Sequence, residues 1–510
     1  MPKKTAGQEG IELPILQPNK NIDNDTCLPK RGRGRVRALV LIGVHLLILA
    51  HITHFWMAGR SLSAVEPSEA MATLELGQVN AGAIFFGLAI VSTAIFGRFF
   101  CGWGCHIVAL QDLSGHLLRR IGLRPKPLRS RLLILVPFVL AFYMFIWPTV
   151  QRLWLGNPHP GLSNHLITID FWQTFPGPVV SILTFVVCGS LIVYLLGNKG
   201  FCTYACPYGA FFSVADRLAL GRIRVTDACH QCGQCTAHCT SNVQVHAEVR
   251  DFGMVVNPGC MKCMDCVSVC PNEALYFGLT TRSGANNTTH TLPILSKPTR
   301  SKRVYDYSLA EEFTGLLVTG VTVYAIRGLY DFTPLLLSVA VGVITAYLIL
   351  QFFRLFRKRD LRTQNIQLKR GGRITQVGWW AAIFVVVWAA FLVHSCFVQY
   401  HRYQGREYLT RITATWTDLF SGVAQSKLTT EDHANIDKGL RSYELTDRFG
   451  IVHVVEVKLG LALGYLAKGD LEAAENHFRQ AYACNPPQVR ELLREFLAYQ
   501  NRPEDAAAIH

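Results

Sequence analysis

Eight cysteines crowd between Cys229 and Cys270, and their spacing is the most specific chemical signal in the chain. Cys229, Cys232, Cys235 and Cys239 form a C-x2-C-x2-C-x3-C run. Cys260, Cys263, Cys266 and Cys270 repeat it, with Pro271 after the last. In such a run three thiolates wrap one cubane corner by corner, and the fourth reaches across to a second cluster. The expected ligand sets for two [4Fe–4S] clusters are therefore Cys229, Cys232, Cys235 and Cys270 for one, and Cys260, Cys263, Cys266 and Cys239 for the other. Zinc also takes thiolates, but its structural sites use paired C-x2-C units set well apart. Thr240 stands where the first run would carry its proline.

Two further pairs stand outside this region: Cys101 and Cys105 in FFCGWGCH, and Cys202 and Cys206 in GFCTYACPYGAF. Aligning Cys101 on Cys202 also aligns Phe100 with Phe201, Trp103 with Tyr204 and Ala109 with Ala210, an internal repeat of 101 residues. Each pair follows an apolar run. Two readings stand side by side. The four thiols converge just beneath the membrane surface into a third thiolate-bound centre, a metal or cluster site or a redox dithiol. Alternatively they are small buried residues packing helix ends.

The elements that must position these residues are membrane helices. Half of the 510 residues are hydrophobic, and the mean hydropathy is positive, so a polytopic helical membrane protein is expected. The net charge of +15 lies beside apolar runs and reads as membrane topology, not as a nucleic-acid surface. Seven spans are expected: Val36–Ala58, an uncleaved signal anchor, then Val79–Gly97, Leu132–Val150, Pro178–Gly197, Leu309–Leu329, Thr333–Phe353 and Val377–Phe397. Basic residues cluster before the first span (Lys30 to Arg37), between the second and third (Arg119 to Arg131) and between the sixth and seventh (Arg354 to Arg373). The loops between carry Glu66, Glu69, Glu75 and Asp170. Charge retention on the cytoplasmic side then puts the N-terminus and the cysteine-rich region inside and the C-terminus outside.

The expected division is a basic leader 1–35, a four-span domain 36–198 with a two-fold repeat, an inserted α+β ferredoxin-type domain 199–308, three spans in 309–398, and a helical extracytoplasmic domain 399–510. In the last, Tyr465, Gly469, Ala474, Phe478, Ala481 and Pro486 fall at tetratricopeptide spacing, and Tyr499 and Ala508 recur 34 residues after Tyr465 and Ala474. Such repeats stack into a partner-binding surface. His45, His51 and His54 in the first span and His394 in the seventh are intramembrane ionisable residues. Helix packing or an interfacial place is expected for them in preference to a haem b. Cys27, Cys188, Cys396 and Cys484 read as solitary packing thiols, with a Cys396–Cys484 disulfide unsupported, and Ser283–His290 reads as a linker.

The order FCGWGC, CTYACPYGAF, CHQCGQCTAHC, CMKCMDCVSVCP resembles the NapH/NosR-type membrane polyferredoxins, with kinship to the CcoG-type cytochrome oxidase accessory proteins. The resemblance covers roughly Val36 to Leu279. It implies a bacterial inner-membrane protein passing electrons between a quinol or cytoplasmic donor and a periplasmic or membrane redox partner, as an electron-transfer subunit or accessory and not a stand-alone enzyme. His106 departs from the family, whose first C-x3-C pair is followed by proline; the NosR-type flavin domain has no counterpart before the first span, and the tetratricopeptide-like tail lies outside the match. Two other classes of function fit the residues: a maturation factor reducing or delivering a metal such as copper, and a scaffold whose clusters are structural or sensing.

Overall fold

The computed structural model describes residues 34–174, 177–279, 305–412, 419–420 and 428–509. The leader through Arg33, Cys27 and the Ser283–His290 linker lie outside them. The protein is mostly helical. Six helices among the described residues are long and apolar enough to cross a membrane: Gly34–Ala58, Leu133–Trp154, Pro178–Leu196, Leu309–Ile326, Leu335–Arg357 and Gln376–Leu409. The expected second span is a 16-residue apolar helix, Ala81–Phe96. At 1.5 Å per residue it measures about 24 Å, less than the ~30 Å of a hydrocarbon core. Asn80 caps it through Oδ1, accepting from Ala83 N at 2.8 Å, and Gly97 at φ +79° ends it. Both stops sit inside the apolar run.

The chain divides into two compact units, one taking the residues up to Leu316 together with Arg362–Gln367, the other Leu317–Leu361 and the chain from Leu368 on. In the first unit each C-x3-C pair bridges a five-residue helix, Phe99–Trp103 or Gly200–Tyr204, and a longer one, His106–Arg120 or Pro207–Leu218. Cys105 and Cys206 begin the longer helices with the same extended backbone, φ −86° and −84°. The repeats are crossed. Pro207–Leu218, after the second pair, packs on Ala81–Phe96 of the first repeat, and His106–Arg120 packs on the second repeat's Pro178–Leu196. π-Helical segments interrupt Leu133–Trp154 at Phe142–Ile146 and Pro178–Leu196 at Phe185–Leu191, a widening often found where a helix serves a site.

The ferredoxin-type region closes through two antiparallel strands, Gly221–Val225 and Leu275–Leu279, with Gly221 opposite Leu279 and Val225 opposite Leu275. Between them the two cysteine runs wind alike. Gln231 and Gly233 have positive φ, as do Lys262 and Met264 31 residues on, and Asn242 is matched by Glu273. Left-handed non-glycine residues carry a steric cost that persists where a site demands the turn. Ile223, Val225, Val243, Val245, Val249, Val255 and Leu275 form the core beneath.

In the second unit Gln376–Leu409 continues twelve residues past the expected end at Phe397, so the border expected at 398/399 falls inside one helix. Arg402 and Arg406 explain the continuation: both reach Glu456 of the helix Val455–Lys468, with Arg402 Nε at 2.9 Å and Arg406 Nε at 2.5 Å. Thr430–Phe449, Val455–Lys468, Leu471–Cys484 and Pro486–Tyr499 follow as packed helices around Leu440, Leu461, Phe478 and Phe496. Burial alone would raise the Glu456 carboxyl, but Arg406 and Arg402 outweigh it and hold it below the usual range. A depressed carboxylate stabilises the fold above its unfolded pKa of about 4.3, and that contribution is lost as pH falls through the folded value. Glu456→Gln is therefore expected to cost about 2 kcal/mol at neutral pH and to flatten the acid limb of a pH–stability curve measured by thermal unfolding.

Candidate iron–sulfur site

Six of the eight clustered cysteines line the ferredoxin-type core, with Cys260 and Cys266 buried and Cys229, Cys235, Cys239 and Cys270 packed at its edge. Their mutual effects on ionisation tell which are neighbours. Burial pushes Cys229 up, and Cys270 adds to it. Burial pushes Cys235 up to about 12, reinforced by Cys229 and Cys232. On the other side burial raises Cys239 to about 12 with Cys260 adding, and Cys266 is raised by burial and then by Cys260, Cys263 and Cys239. Cys270 thus lies near Cys229 and Cys239 near Cys260, while Cys235 of the first run also stands near Cys266. Among the described residues no three His, Cys, Asp or Glu side chains gather closely enough to hold one metal ion.

The two C-x3-C pairs also come together. Cys101 and Cys202 are buried in one apolar core with Phe86, Val108, Phe145 and Phe212, and Cys105 packs on it. Burial pushes Cys105 up to about 12, with Cys202 and Cys101 adding; burial also raises Cys206, with Cys202 and Cys105 adding. Leu220 N donates to Ile95 O at 3.1 Å, while the Tyr208 ring meets Phe86 at 5.9 Å. Pro207–Leu218 thus runs back along Ala81–Phe96, carrying its cysteine end about 13 Å from the other helix's end. Ala70, from the loop before Ala81–Phe96, closes the same core.

That core also contains Met261, between Cys260 and Cys263. Trp103, midway through the first pair, donates from Nε1 to Lys262 O at 3.0 Å. Gly102 lies so close that a Cβ there would stand 2.3 Å from Met261 O. Buried ion pairs hold this contact. Asp216 of Pro207–Leu218, fully buried, accepts from Lys262 Nζ at 2.9 Å, Arg222 at 3.1 Å and Arg98 N at 3.0 Å. Lys262, a ligand-loop residue, is 1% exposed. Gly97 permits this: a Cβ there would stand 2.5 Å from Lys262 Cε.

Asp112 of His106–Arg120 answers for the other repeat, bound by Lys199 at 2.5 Å and by Arg37, which also reaches Asp265 at 2.8 Å. Arg98 and Lys199 each precede a first cysteine by three residues. The 101-residue offset aligns them, a signal in the sequence that the cysteine-centred reading passed over. Arg98 lies 3.9 Å from Cys101 Sγ, and Gln111 donates to Cys202 Sγ at 3.1 Å.

The remaining sequence candidates have other places. His51 bonds Leu62 O, His54 bonds Ser61 and His394 bonds Phe449 O, each within its own unit. Cys188, Cys396 and Cys484 are free thiols. Removing one partner of a buried pair strands the other, whereas an exposed pair matters little. Lys262→Met is expected to cost about 3 kcal/mol and Arg250→Met, whose pair with Asp251 is exposed, under about 1 kcal/mol, measured as denaturant midpoints of the purified protein.

Comparison with known proteins agrees with this arrangement. A family model described as a 4Fe-4S binding domain matches residues 81–124 and 179–226, the segments around the two C-x3-C pairs. A second, a 4Fe-4S dicluster domain, matches 222–271. Among relatives, the ferredoxin-type protein NapH of Escherichia coli is 28% identical over 238 residues, 44% of this chain and 77% of that one. The methylamine utilization ferredoxin-type protein MauN of Methylobacillus flagellatus is 28% identical over 185 residues, 35% and 62%. YccM of Escherichia coli is 26% identical over 220 residues, 41% and 59%. The chain thus spans about three fifths of the length of MauN and YccM. No solved structure matches. The 4Fe-4S models at both cysteine regions and these ferredoxin-type relatives support the resemblance to the NapH-type membrane polyferredoxins over the cysteine-bearing part of the chain.

Proposed function

We propose that the chain is a membrane-bound electron carrier with three [4Fe–4S] clusters in series. Cys229, Cys232, Cys235 and Cys270 hold the first; Cys260, Cys263, Cys266 and Cys239 hold the second; Cys101, Cys105, Cys202 and Cys206 hold the third. The observation that carries this reading is the single apolar core joining Cys101 and Cys202 to Met261, between two ligands of the second cluster. The donor set fits. Each group is four cysteine sulfurs, and buried thiols that resist ionisation alone become thiolates beside bound iron. A bound cluster supplies reversible one-electron chemistry.

The protein's part is position and charge. Asp216 with Lys262 and Arg222 keeps the second cysteine run against the helix that carries Cys206. The Arg98 guanidinium, buried against Cys101, favours the thiolate and draws electron density toward the third site. The apolar wall of Phe86, Phe145, Phe211 and Phe212 excludes water and limits solvent reorganisation.

On this reading the membrane is the bacterial inner membrane, with the ferredoxin-type region on the cytoplasmic side because the basic loops flank it. Ala81–Phe96 counts as a seventh crossing, completed by the adjoining loop, and the C-terminal helices lie outside. Their buried Ala474, Phe478 and Ala481, each 0% exposed, with Gly469 turning between helices, support a tetratricopeptide-like stack that docks a redox partner. Electrons pass between a quinol or cytoplasmic donor and that periplasmic or membrane partner. The test is an iron and sulfide count on anaerobically purified protein. Twelve irons per chain are expected from three four-iron clusters. The double variant Cys101→Ser, Cys202→Ser is expected to lose four of them and one EPR component while the other two clusters persist. Eight irons in both proteins would overturn the third site.

A further inference from the structure

Gln111 lies on His106–Arg120, six residues after Cys105, and is 0% exposed. Its Nε2 donates to Cys202 Sγ at 3.1 Å and reaches Ile107 O, one turn back, at 3.5 Å. Its Oε1 is buried without a hydrogen-bond partner. An unpaired buried amide oxygen is a free-energy penalty that methionine or leucine in the same place would not carry. Packing alone therefore does not account for the residue. The two ends of a side-chain amide differ only in hydrogen-bonding sense, and here the donor end faces the sulfur. A half-turn would set a carbonyl oxygen against a thiolate and repel it.

The two repeats show why this helix has to supply the donor. Arg98 and Lys199 correspond across the 101-residue offset, and Arg98 stands 3.9 Å from Cys101 Sγ. Lys199 instead gives its ammonium to Asp112 at 2.5 Å. Gln111, the residue before Asp112, comes from the first repeat to the first cysteine of the second. The matching position in the second repeat is Phe212, whose ring packs in the core around the thiols. The first cysteine of each pair thus has a side-chain nitrogen donor, one charged and one neutral, and the first repeat provides both.

We propose, resting on the third centre of the electron-transfer reading above, that Gln111 raises that centre's reduction potential through its N–H···S bond to Cys202. Gln111 meets a more negative sulfur once one electron has arrived from the neighbouring ferredoxin cluster, so its bond stabilises the reduced state more than the oxidised one. The amide gains and loses no proton, and the electron is returned as it came. In an apolar core where no water can take over the bond, a neutral donor acts at full strength. Without it, an added charge among Phe86, Phe145 and Phe212 would be poorly met.

The experiment is an EPR redox titration of the full chain in detergent, with hyperfine spectra of the reduced protein made with glutamine isotopically labelled at its side-chain nitrogen. Gln111→Met keeps the length and removes the donor. It is expected to lower the potential of the third component and leave the other two, and the iron count, unchanged. Gln231, whose Nε2 lies 3.6 Å from Cys229 Sγ, is the control: Gln231→Met is expected to leave the third component where it is. In that control background the third component of the labelled protein is expected to carry a coupling to a glutamine nitrogen, and this coupling is read without touching Gln111, which serves if Gln111→Met does not assemble. A third component without that coupling, or with a potential unmoved in Gln111→Met, overturns the role of Gln111 alone. Eight irons and no third component overturn the third centre and this role with it.

Discussion

Asp216 has no access to water, and every other feature of the cysteine sites depends on how its charge is met. Lys262 and Arg222 meet it from the side chains and Arg98 from the backbone. Such a lattice adds little net stability, because desolvating the charges offsets most of their attraction. Its effect is register. A slip between Pro207–Leu218 and the second cysteine run would strand a buried carboxylate, so one arrangement is enforced. That arrangement sets Met261 and Trp103 between two groups of four thiols. Asp112 repeats the device with Lys199 and Arg37.

The crossed packing of the two repeats follows the same logic. Each helix after a C-x3-C pair lies on the other repeat's span and supplies an aspartate to the region before the other repeat's first cysteine. Neither pair of thiols can be assembled without both repeats. The ferredoxin-type region has its own version, since Cys270 lies near Cys229 and Cys239 near Cys260.

The eight clustered cysteines were legible in the sequence because ligand spacing is local, and the apolar runs were legible because composition is. The left-handed turns at Gln231, Lys262 and Met264 were not, since nothing in those residue types announces positive φ. The helices His106–Arg120 and Pro207–Leu218 were not legible either, because their mixed polarity lacks the continuous apolarity of a span, yet they carry the second thiol of each C-x3-C pair at their starts. Nothing in the sequence marks Lys262, between two cysteines of the second run, for burial. Only the fold supplies Asp216, 46 positions earlier, to bury it. The run past Phe397 was hidden for a similar reason: Arg402 and Arg406 look like a helix end until Glu456 is brought beside them.

The central claim is that the four C-x3-C thiols hold a redox centre against the second ferredoxin cluster. The low-temperature EPR spectrum of the fully reduced full-length protein tests it most directly, because two paramagnetic centres in contact broaden and split one another's signals. The account requires a spin–spin interaction beyond that between the two ferredoxin-type clusters, and this additional part is lost, leaving the two-cluster spectrum, when Cys101 and Cys202 are both replaced by serine. A fully reduced spectrum that is identical with and without those two cysteines would contradict it.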